Sequence, residues 1–157
     1  MTKGKILGFI VSKYVISIDP KRVKAISEIP LPHNKNSMQL FLAKINFVKL
    51  FVPDFSQIVM PLQNMIKKKE IYKWGHTKRM SFESIEQVII SAPYLSSTYY
   101  YIEFLLYTFA SDHSYALVLT QNNQEQVEVF VSFFSSTLQG EELNYLEFEK
   151  QAFVVFK

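Results

Sequence analysis

The sequence predicts an α+β fold in which a β-hairpin precedes four helices, and a β-meander and a last helix follow them. Three observations support this fold class. Apolar residues recur at helical spacing from residue 20 to residue 91. Strand-like apolar runs replace that pattern after residue 102, and proline or polar turn signals separate the segments. Apolar residues make up 48% and aromatic residues 15% of the 157-residue chain, which is typical of a globular protein.

The N-terminal segment combines a hairpin with a helix start. Residues 5–18 mix apolar and β-branched residues around Ser12-Lys13, so they predict a hairpin that turns there. Asp19 is predicted to cap the first helix, and Pro20 to be its first residue. The apolar stripe of this helix consists of Val23, Ile26 and Ile29.

Three further helices are predicted before the change of periodicity. The second helix is expected to begin with Ser37 as its N-cap and to end at Pro53-Asp54. A third helix is expected from Phe55 to about Lys69, with Pro61 marking a kink or a restart inside it. A fourth is expected over about residues 77–91.

The C-terminal part predicts strands followed by a helix. Residues 103–110, 114–121 and 127–135 are expected to be three strands separated by polar turns. A last helix is expected to open at Gly140-Glu141-Glu142 and to be still running at Lys157. An apolar helix without a C-terminal stop signal suggests a fragment of a longer protein.

The net charge of +3 conceals a strong asymmetry between the two halves of the chain. Residues 1–80 hold 15 Lys and Arg against 4 Asp and Glu, a balance of +11, whereas residues 81–157 hold 2 against 10, a balance of −8. Such a division suggests that the basic half meets a polyanion. The alternative is that two solvated faces happen to segregate their charges.

Several classes of protein are excluded by what the sequence lacks. There is no cysteine, which excludes disulfides and thiolate metal sites. No uncharged apolar window of about 18 residues exists, so no transmembrane helix and no membrane partner are expected. The three histidines, His33, His76 and His113, are isolated from further ligands at metal spacing, so no metal site is predicted at them.

Ordered motifs carry a resemblance to a known family. "LGFIVSKYVISIDPKRVKAI" (Leu7–Ile26) is similar to LGH-x-VS-x-x-GI-x-x-DP-x-K-x-x-AI, and "FLAKINFVKLFVPDFSQIVMPL" (Phe41–Leu62) to FLG-x-x-NYYRRFIPNFS-x-x-x-PL. "VSFFSSTLQGEELNYLEFEKQAF" (Val131–Phe153) is similar to V-x-x-x-SRTL-x-x-x-E-x-NY-x-x-x-EKELL. Over nearly its whole length the chain resembles the Pol polyprotein of gypsy-type LTR retrotransposons, from the end of the reverse transcriptase palm into the RNase H domain.

The resemblance implies a role for each part of the chain. Residues 1–18 would be a primer-grip-like hairpin at the end of the palm, residues 19–92 the helical thumb and connection, and residues 93–157 a truncated RNase H-like domain. The implied partners are a template–primer duplex, either RNA–DNA or DNA, and the rest of the Pol polyprotein. The residues expected at the nucleic acid are Leu7, Gly8, Lys21, Arg22, Lys24, Lys44 and Lys49.

Three substitutions depart from the family pattern in the first half. Ala43 replaces a glycine, which a helix tolerates. Leu50 replaces an arginine, which removes an expected phosphate contact. Val15 replaces a glycine and cannot adopt a positive φ cheaply.

The RNase H metal site is degenerate. RNase H chemistry needs two Mg²⁺ about 4 Å apart, held by carboxylates, and apolar groups cannot replace these oxygen ligands. The family's L-x-T-D-A-S strand has Phe109 in place of its aspartate, and its E-K-E-L-L helix has Gln151 in place of its second glutamate. Asp112 and Glu149 are poorly placed as substitutes, because strand alternation and helix geometry direct them elsewhere. No cofactor is therefore expected on this segment, and Mg²⁺ only in an intact enzyme.

The expected function is that of a piece of a retrotransposon reverse transcriptase/RNase H that contacts the duplex without a complete catalytic site. The polymerase carboxylates of the family lie upstream of the matched region. The alternatives are a decayed retroelement product without activity, a protein-interaction module, and a residual hydrolase that would cleave an RNA–DNA hybrid with Mg²⁺. The resemblance implies an intracellular location, in a cytoplasmic particle or the nucleus, if the chain is expressed.

Two aromatic groups leave a choice between core packing and base stacking. Trp74 and Tyr99–Tyr101 have rings that can stack on bases. For Trp74, a role as a core anchor between linker and sheet is favoured. Ser111-Asp112-His113 is expected to serve as a turn rather than as a catalytic triad.

Overall fold

The computed structural model describes residues 3–68 and 70–156, and the predicted α+β class is confirmed. One antiparallel sheet has the strand order β1 (Gly4–Ile6), β2 (Phe9–Val11), β3 (Val15–Ile18), β4 (Leu95–Ser96). A second antiparallel sheet has the order β5 (Phe104–Ala110), β6 (Ser114–Asn122), β7 (Glu128–Thr137). The α-helices are α1 (Pro20–Ser27), α2 (Lys35–Ile45), α3 (Phe55–Met65), α4 (His76–Ile90) and α5 (Glu147–Phe156). Two 3₁₀ helices cover Asn46–Leu50 and Gly140–Asn144. No described helix combines the length and apolar character needed to cross a membrane.

The predicted hairpin is confirmed, and a strand that was not predicted extends it. β2 pairs with β3, and the backbone N–H of Ser12 donates to Val15 O at 2.9 Å to close the turn. β1 pairs with β2 through a two-residue turn at Leu7-Gly8. Val15 begins β3 without the positive φ that its replacement of a glycine led us to consider.

The predicted start of α1 is also confirmed. Pro20 is its first residue, and the carboxylate of Asp19 accepts a hydrogen bond from Lys21 N at 3.1 Å. Lys5 Nζ lies 2.9 Å from Asp19 Oδ2. This hydrogen bond from Lys5, with the one from the Lys21 backbone, holds the pKa of Asp19 below its usual range. Asp19 therefore ties β1 to the first turn of α1.

The predicted start of α2 is wrong by three residues. Asn34, not Ser37, is the N-cap, and its side chain accepts from Ser37 N at 2.8 Å. The hydroxyl of Ser37 accepts in return from Asn34 N at 3.1 Å. Ser37 at the third helical position thus does what a glutamate usually does in a capping box. α2 ends at Ile45, and a 3₁₀ helix replaces the rest of the predicted helix.

The third helix runs without interruption through Pro61, so no restart occurs there. It ends at Met65, short of the predicted end, and Lys69 itself lies outside the described residues. Asp54 precedes it with a left-handed backbone, φ 49°. The fourth helix matches its prediction to within one residue at each end.

The three predicted strands of the meander are confirmed, but the last helix opens later than predicted. Gly140–Asn144 forms a 3₁₀ helix instead, held by a capping box between Gln139 and Glu142. Tyr145 then returns to extended backbone, and α5 begins at Glu147. Lys157 lies outside the described residues.

One large apolar core joins the helices to both sheets. Its fully buried side chains come mainly from α2, α3 and α4, and Leu95 of β4 and Phe133 of β7 belong to the same cluster. A smaller cluster of Tyr115, Leu138 and Val154 lies between the second sheet and α5. The predicted domain limits at residues 18 and 92 stay a prediction. The pairing of β3 with β4 joins segments on either side of these limits, and the large core contains residues from all three predicted domains.

The capping box of α2 gives a test of local stability. We expect Asn34→Ala to lower the free energy of unfolding by about 1 kcal/mol, because the N–H of Ser37 loses its acceptor. Asn36→Ala, in the exposed first turn of the same helix, is the matched control and should change stability by less than about 0.5 kcal/mol. Urea denaturation followed by circular dichroism measures both. Equal effects of the two substitutions would contradict the cap assignment.

Candidate nucleic-acid interface

The turn at Leu7-Gly8 projects an apolar side chain into solvent. Leu7 is 82% exposed, and both residues have positive φ, 51° and 90°. Arg22 Nη1 donates to Leu7 O at 2.8 Å, and Asp19 N donates to Gly8 O at 3.0 Å. A Cβ added at Gly8 would lie 2.6 Å from Arg22 Cδ and would also collide with Nη1, so the turn and α1 are in close contact.

Aromatic packing connects this turn to the end of α2. The guanidinium carbon of Arg22 lies 4.2 Å from the ring centroid of Phe47, in cation–π geometry. Phe47 in turn packs on Phe9 of β2, with ring centroids 5.7 Å apart, and Phe9 stacks on Phe51 at 5.2 Å. The first hairpin, α1 and the first 3₁₀ helix therefore form one packed unit.

The predicted lysines lie around this unit. Lys21, Lys24 and Lys44 are exposed, and Lys49 is half-buried. Lys44 and Lys49 flank Phe47 in sequence, so the structure brings them to the same end of α2 as Arg22 and the Leu7-Gly8 turn. Their predicted contact with nucleic acid stays a prediction.

Some of these lysines also have local partners. Lys24, Lys44 and Lys49 occupy the last turns of their helices, where a cation is favourable to the helix dipole. Lys24 Nζ lies 3.7 Å from Glu28 Oε1 in an exposed pair, which is worth at most about 1 kcal/mol. These interactions are weak enough to leave the ammonium groups available.

A second basic group lies at the opposite end of α2. Lys35 Nζ donates to the backbone oxygens of Lys67 and Glu70, both at 2.7 Å, and so places Lys67 and the following Lys68 near the start of the helix. An eleven-residue helix is about 16 Å long. The two basic groups are therefore well separated, although sequence reasoning counted them together.

The two positions that the sequence comparison identified as degenerate metal positions are exposed and lie on different elements. Phe109 lies on β5 opposite Ala116 and is 56% exposed, and Gln151 is exposed on α5. The neighbouring Ala110 packs on the cluster that contains Val154 of α5, so alternation along the strand places Phe109 on the other face of the sheet. Among the described residues, no group of three or more His, Cys, Asp or Glu could hold a metal ion.

The two acids considered as substitutes have other contacts. Glu149 Oε2 accepts from Leu146 N at 2.8 Å and so caps the start of α5. Lys150 is buried, and its Nζ lies 3.4 Å from Asp112 O and 3.9 Å from Asp112 Oδ1. An ammonium group, rather than a second carboxylate, therefore faces Asp112.

Phe109 lies against an apolar recess instead. This recess, of about 340 Å³, is formed on the face of the sheet opposite to α5. At its rim, Thr120 Oγ1 donates to Glu128 Oε1 at 2.6 Å. The other residues that line it are Tyr107, Phe109, Val118 and Phe130.

Asp54 is an acid that lies beside Phe109 in addition to Glu128, and sequence reasoning assigned it only to a helix break. Asp54 lines a cavity of about 90 Å³ together with Phe109 and Tyr115, and its Oδ1 lies 3.5 Å from Ser114 Oγ. Burial raises the pKa of the Asp54 carboxyl, against the opposing effect of the Ser114 hydroxyl. A single protonation-prone carboxylate does not make a two-metal site.

Trp74 is a core anchor, as favoured, but its partners are in the helical part rather than the sheet. Trp74 Nε1 donates to Pro32 O at 2.8 Å, and Tyr72 Oη donates to the same oxygen at 2.6 Å. The Trp74 ring packs edge-on against Phe82 of α4 at 6.0 Å. The Ser111 hydroxyl lies 3.0 Å from Ser114 Oγ, which confirms the expected turn at that point.

Comparison with known proteins identifies the family to which this chain is similar. Residues 74–157 match the family model described as the RNase H-like domain found in reverse transcriptase. The Tf2-3 and Tf2-4 transposon polyproteins of Schizosaccharomyces pombe are 28% identical over 153 residues, which is 98% of this chain. The chain spans 12% of the length of these relatives. These matches confirm the predicted resemblance to a retrotransposon Pol polyprotein.

Solved structures share the fold. The foamy viral protease-reverse transcriptase in complex with dsDNA superposes with a TM-score of 0.83 at 20% identity, over 99% of this chain and 33% of that one. The same kind of protein in complex with an RNA/DNA hybrid gives a TM-score of 0.82 at 22% identity, over 98% of this chain and 21% of that one.

The raised pKa of Asp54 predicts a pH dependence of stability. A carboxyl whose pKa is higher in the folded state contributes fully below its unfolded pKa, about 3.9, and loses that contribution as pH rises through the folded value. Asp54→Asn should therefore gain stability relative to the wild type between pH 4 and pH 7, as measured by urea denaturation. Gln124→Ala, at an exposed turn residue without a titratable group, should show no such gain. An Asp54→Asn difference that is the same at both pH values would contradict the assignment.

Proposed function

The chain belongs to the family of RNase H-like domains found in reverse transcriptases, and from this premise we propose that it binds a template–primer duplex as a non-catalytic part of a retrotransposon reverse transcriptase. The observation that carries the proposal is the grouping of the exposed Leu7-Gly8 turn with the basic residues of α1 and of the end of α2.

The chemistry of this group suits a polynucleotide. Ammonium groups on phosphates give affinity that does not depend on base sequence, which is what a polymerase needs along its substrate. Lys21, Lys24 and Lys44 are exposed, and Lys49 is partly so. The foamy viral structures are complexes with dsDNA and with an RNA/DNA hybrid. We therefore propose either duplex as the partner.

The absence of catalysis is the second part of the proposal. A benzyl group at Phe109 and an amide at Gln151 cannot supply the negative charge that two Mg²⁺ ions need. Lys150 beside Asp112 adds positive charge close to the end of β5. We expect Mg²⁺ to act only in an intact enzyme with its own carboxylates.

A second candidate role is contact with the rest of a Pol polyprotein. β5 and α5 expose large apolar side chains, which is the kind of surface that a protein partner covers. These include Leu105, Leu106, Tyr107, Phe148 and Phe156, which are 41–89% exposed. The alternative is a decayed product without activity, and a chain that shows no cooperative unfolding would favour it.

Duplex binding by the basic group predicts a salt dependence. We expect the logarithm of the binding constant of the 157-residue chain for a primer–template duplex to fall linearly with the logarithm of salt concentration. The Lys21→Gln/Lys44→Gln double variant should reduce this slope by about 1.8, since each lost phosphate contact contributes about 0.9. Fluorescence anisotropy at several salt concentrations measures both quantities.

The matched control removes two charges from the opposite end of α2. Lys67→Gln/Lys68→Gln should change the slope by less than half as much, because these lysines lie about 16 Å away along the helix. A flat salt dependence of the wild type would contradict duplex binding. Equal effects of the two double variants would contradict the location of the interface.

The degenerate metal positions predict the outcome of a cleavage assay. With Mg²⁺ and an RNA–DNA hybrid, the wild-type chain should cleave no more RNA than a buffer control, even at high protein concentration, because the metal ligands at positions 109 and 151 are missing. Denaturing gel electrophoresis of labelled RNA measures this. Cleavage that requires Mg²⁺ and scales with protein concentration would contradict this expectation and support the alternative of a residual hydrolase.

A further inference from the structure

The backbone of Leu7 is in a conformation that leucine rarely adopts. Its φ of 51° places it in the left-handed region, where a Cβ approaches the following carbonyl oxygen at a cost of about 1–2 kcal/mol. A two-residue hairpin loop with positive φ at both positions favours Asn-Gly. Leucine is not the residue preferred at the first position of this loop. Its side chain is 82% exposed, so packing does not offset the cost of the left-handed backbone. An unfavourable backbone with an exposed apolar side chain points to a function for that side chain.

Arg22 supplies the interactions that hold this conformation. Its Nη1 donates to Leu7 O at 2.8 Å, and its guanidinium lies over the Phe47 ring at 4.2 Å. Its side chain passes so close to Gly8 that a Cβ there would force the arginine to move. The backbone of Asp19, three residues earlier, holds the next carbonyl, Gly8 O, at 3.0 Å. The guanidinium is thus engaged on one edge and one face within the protein.

We propose that Arg22 is a positioning residue, which holds the Leu7-Gly8 turn in its left-handed form and so presents the Leu7 side chain to the duplex. This inference rests on the proposed function, because it assigns Leu7 a contact with the bound nucleic acid. It replaces the expectation that Arg22 binds a phosphate directly. A planar guanidinium can donate to a carbonyl and stack on a ring at the same time, whereas the compact ammonium of lysine lacks that planar face.

The two roles of Arg22 differ in their salt dependence. Loss of a phosphate contact lowers the salt slope by about 0.9, and lysine largely restores it. Loss of a positioning interaction lowers the affinity at every salt concentration with little change of slope, and lysine does not restore the affinity. Arg22→Met keeps the apolar stem and removes the donors, and Arg22→Lys keeps the charge.

The experiment measures the affinity of the full 157-residue chain for a primer–template duplex across a range of salt concentrations. We expect Arg22→Met and Arg22→Lys each to weaken binding about tenfold with a slope change below about 0.5. Arg79→Met, the matched control on α4, removes the same charge without touching the turn and should weaken binding less than twofold at high salt. A slope reduction near 0.9 in Arg22→Met together with recovery in Arg22→Lys would overturn the positioning role.

Leu7→Asn tests the same inference without changing Arg22. Asparagine suits the turn, so the variant should unfold at a higher urea concentration than the wild type and yet bind the duplex several-fold more weakly. In the Arg22→Met background, Leu7→Asn should cause no further loss of affinity, because the leucine is then no longer presented. Additive losses would overturn the coupling. Wild-type chain that does not bind the duplex would overturn the proposed function and this inference together, whereas binding with additive losses would overturn this inference alone.

Discussion

Burial of the apolar stripes of α2, α3 and α4 against one another is the constraint on which the rest of the structure depends. Phe41, Leu62 and Ile85 are almost completely buried at the centre of this core. The first sheet reaches it through Ile18 and Leu95, and the second through Phe133 of β7. Because both sheets pack on the same helices, the position of the hairpin relative to the meander follows from helix packing.

The charged residues and the core divide the chain differently. The basic residues follow the order of the sequence, with +11 in the first half and −8 in the second, whereas the core includes residues from both halves. A polyanion bound to the first half would therefore lie on a platform that the second half helps to hold. The RNase H-like sheet can keep this supporting role without metal ions, because Phe133 and Leu95 contribute packing rather than chemistry.

Much of the fold follows from signals in the sequence that act over a few residues. The cap at Asp19-Pro20, the hairpin around Ser12-Lys13 and the three long strands all have such signals, and the structure has them in place. The start of α2 was predicted at the wrong residue because serine can serve at the third helical position as well as at the cap. β1 was missed because its turn uses leucine where asparagine is usual, so Gly8 stands without the Asn-Gly pair that marks such a hairpin.

Less of the candidate site than of the fold could be predicted from the sequence. The identities at positions 109 and 151 could be compared with a motif, but the contacts of Arg22 and the approach of Asp54 to Phe109 depend on residues far apart in the chain. Tertiary packing alone brings such groups together.

The apolar recess around Phe109 bears on whether a single substitution could place a metal ligand at that position. An aspartate placed at that position by one mutation would meet the walls formed by Tyr107 and Phe130 and the carboxylate of Asp54, all of which disfavour its ionisation. It would also lie on the opposite face of the sheet from α5, where a second new acid would have to arise. One substitution at position 109 could therefore not rebuild a two-metal site, because the partner acid on α5 would still be missing.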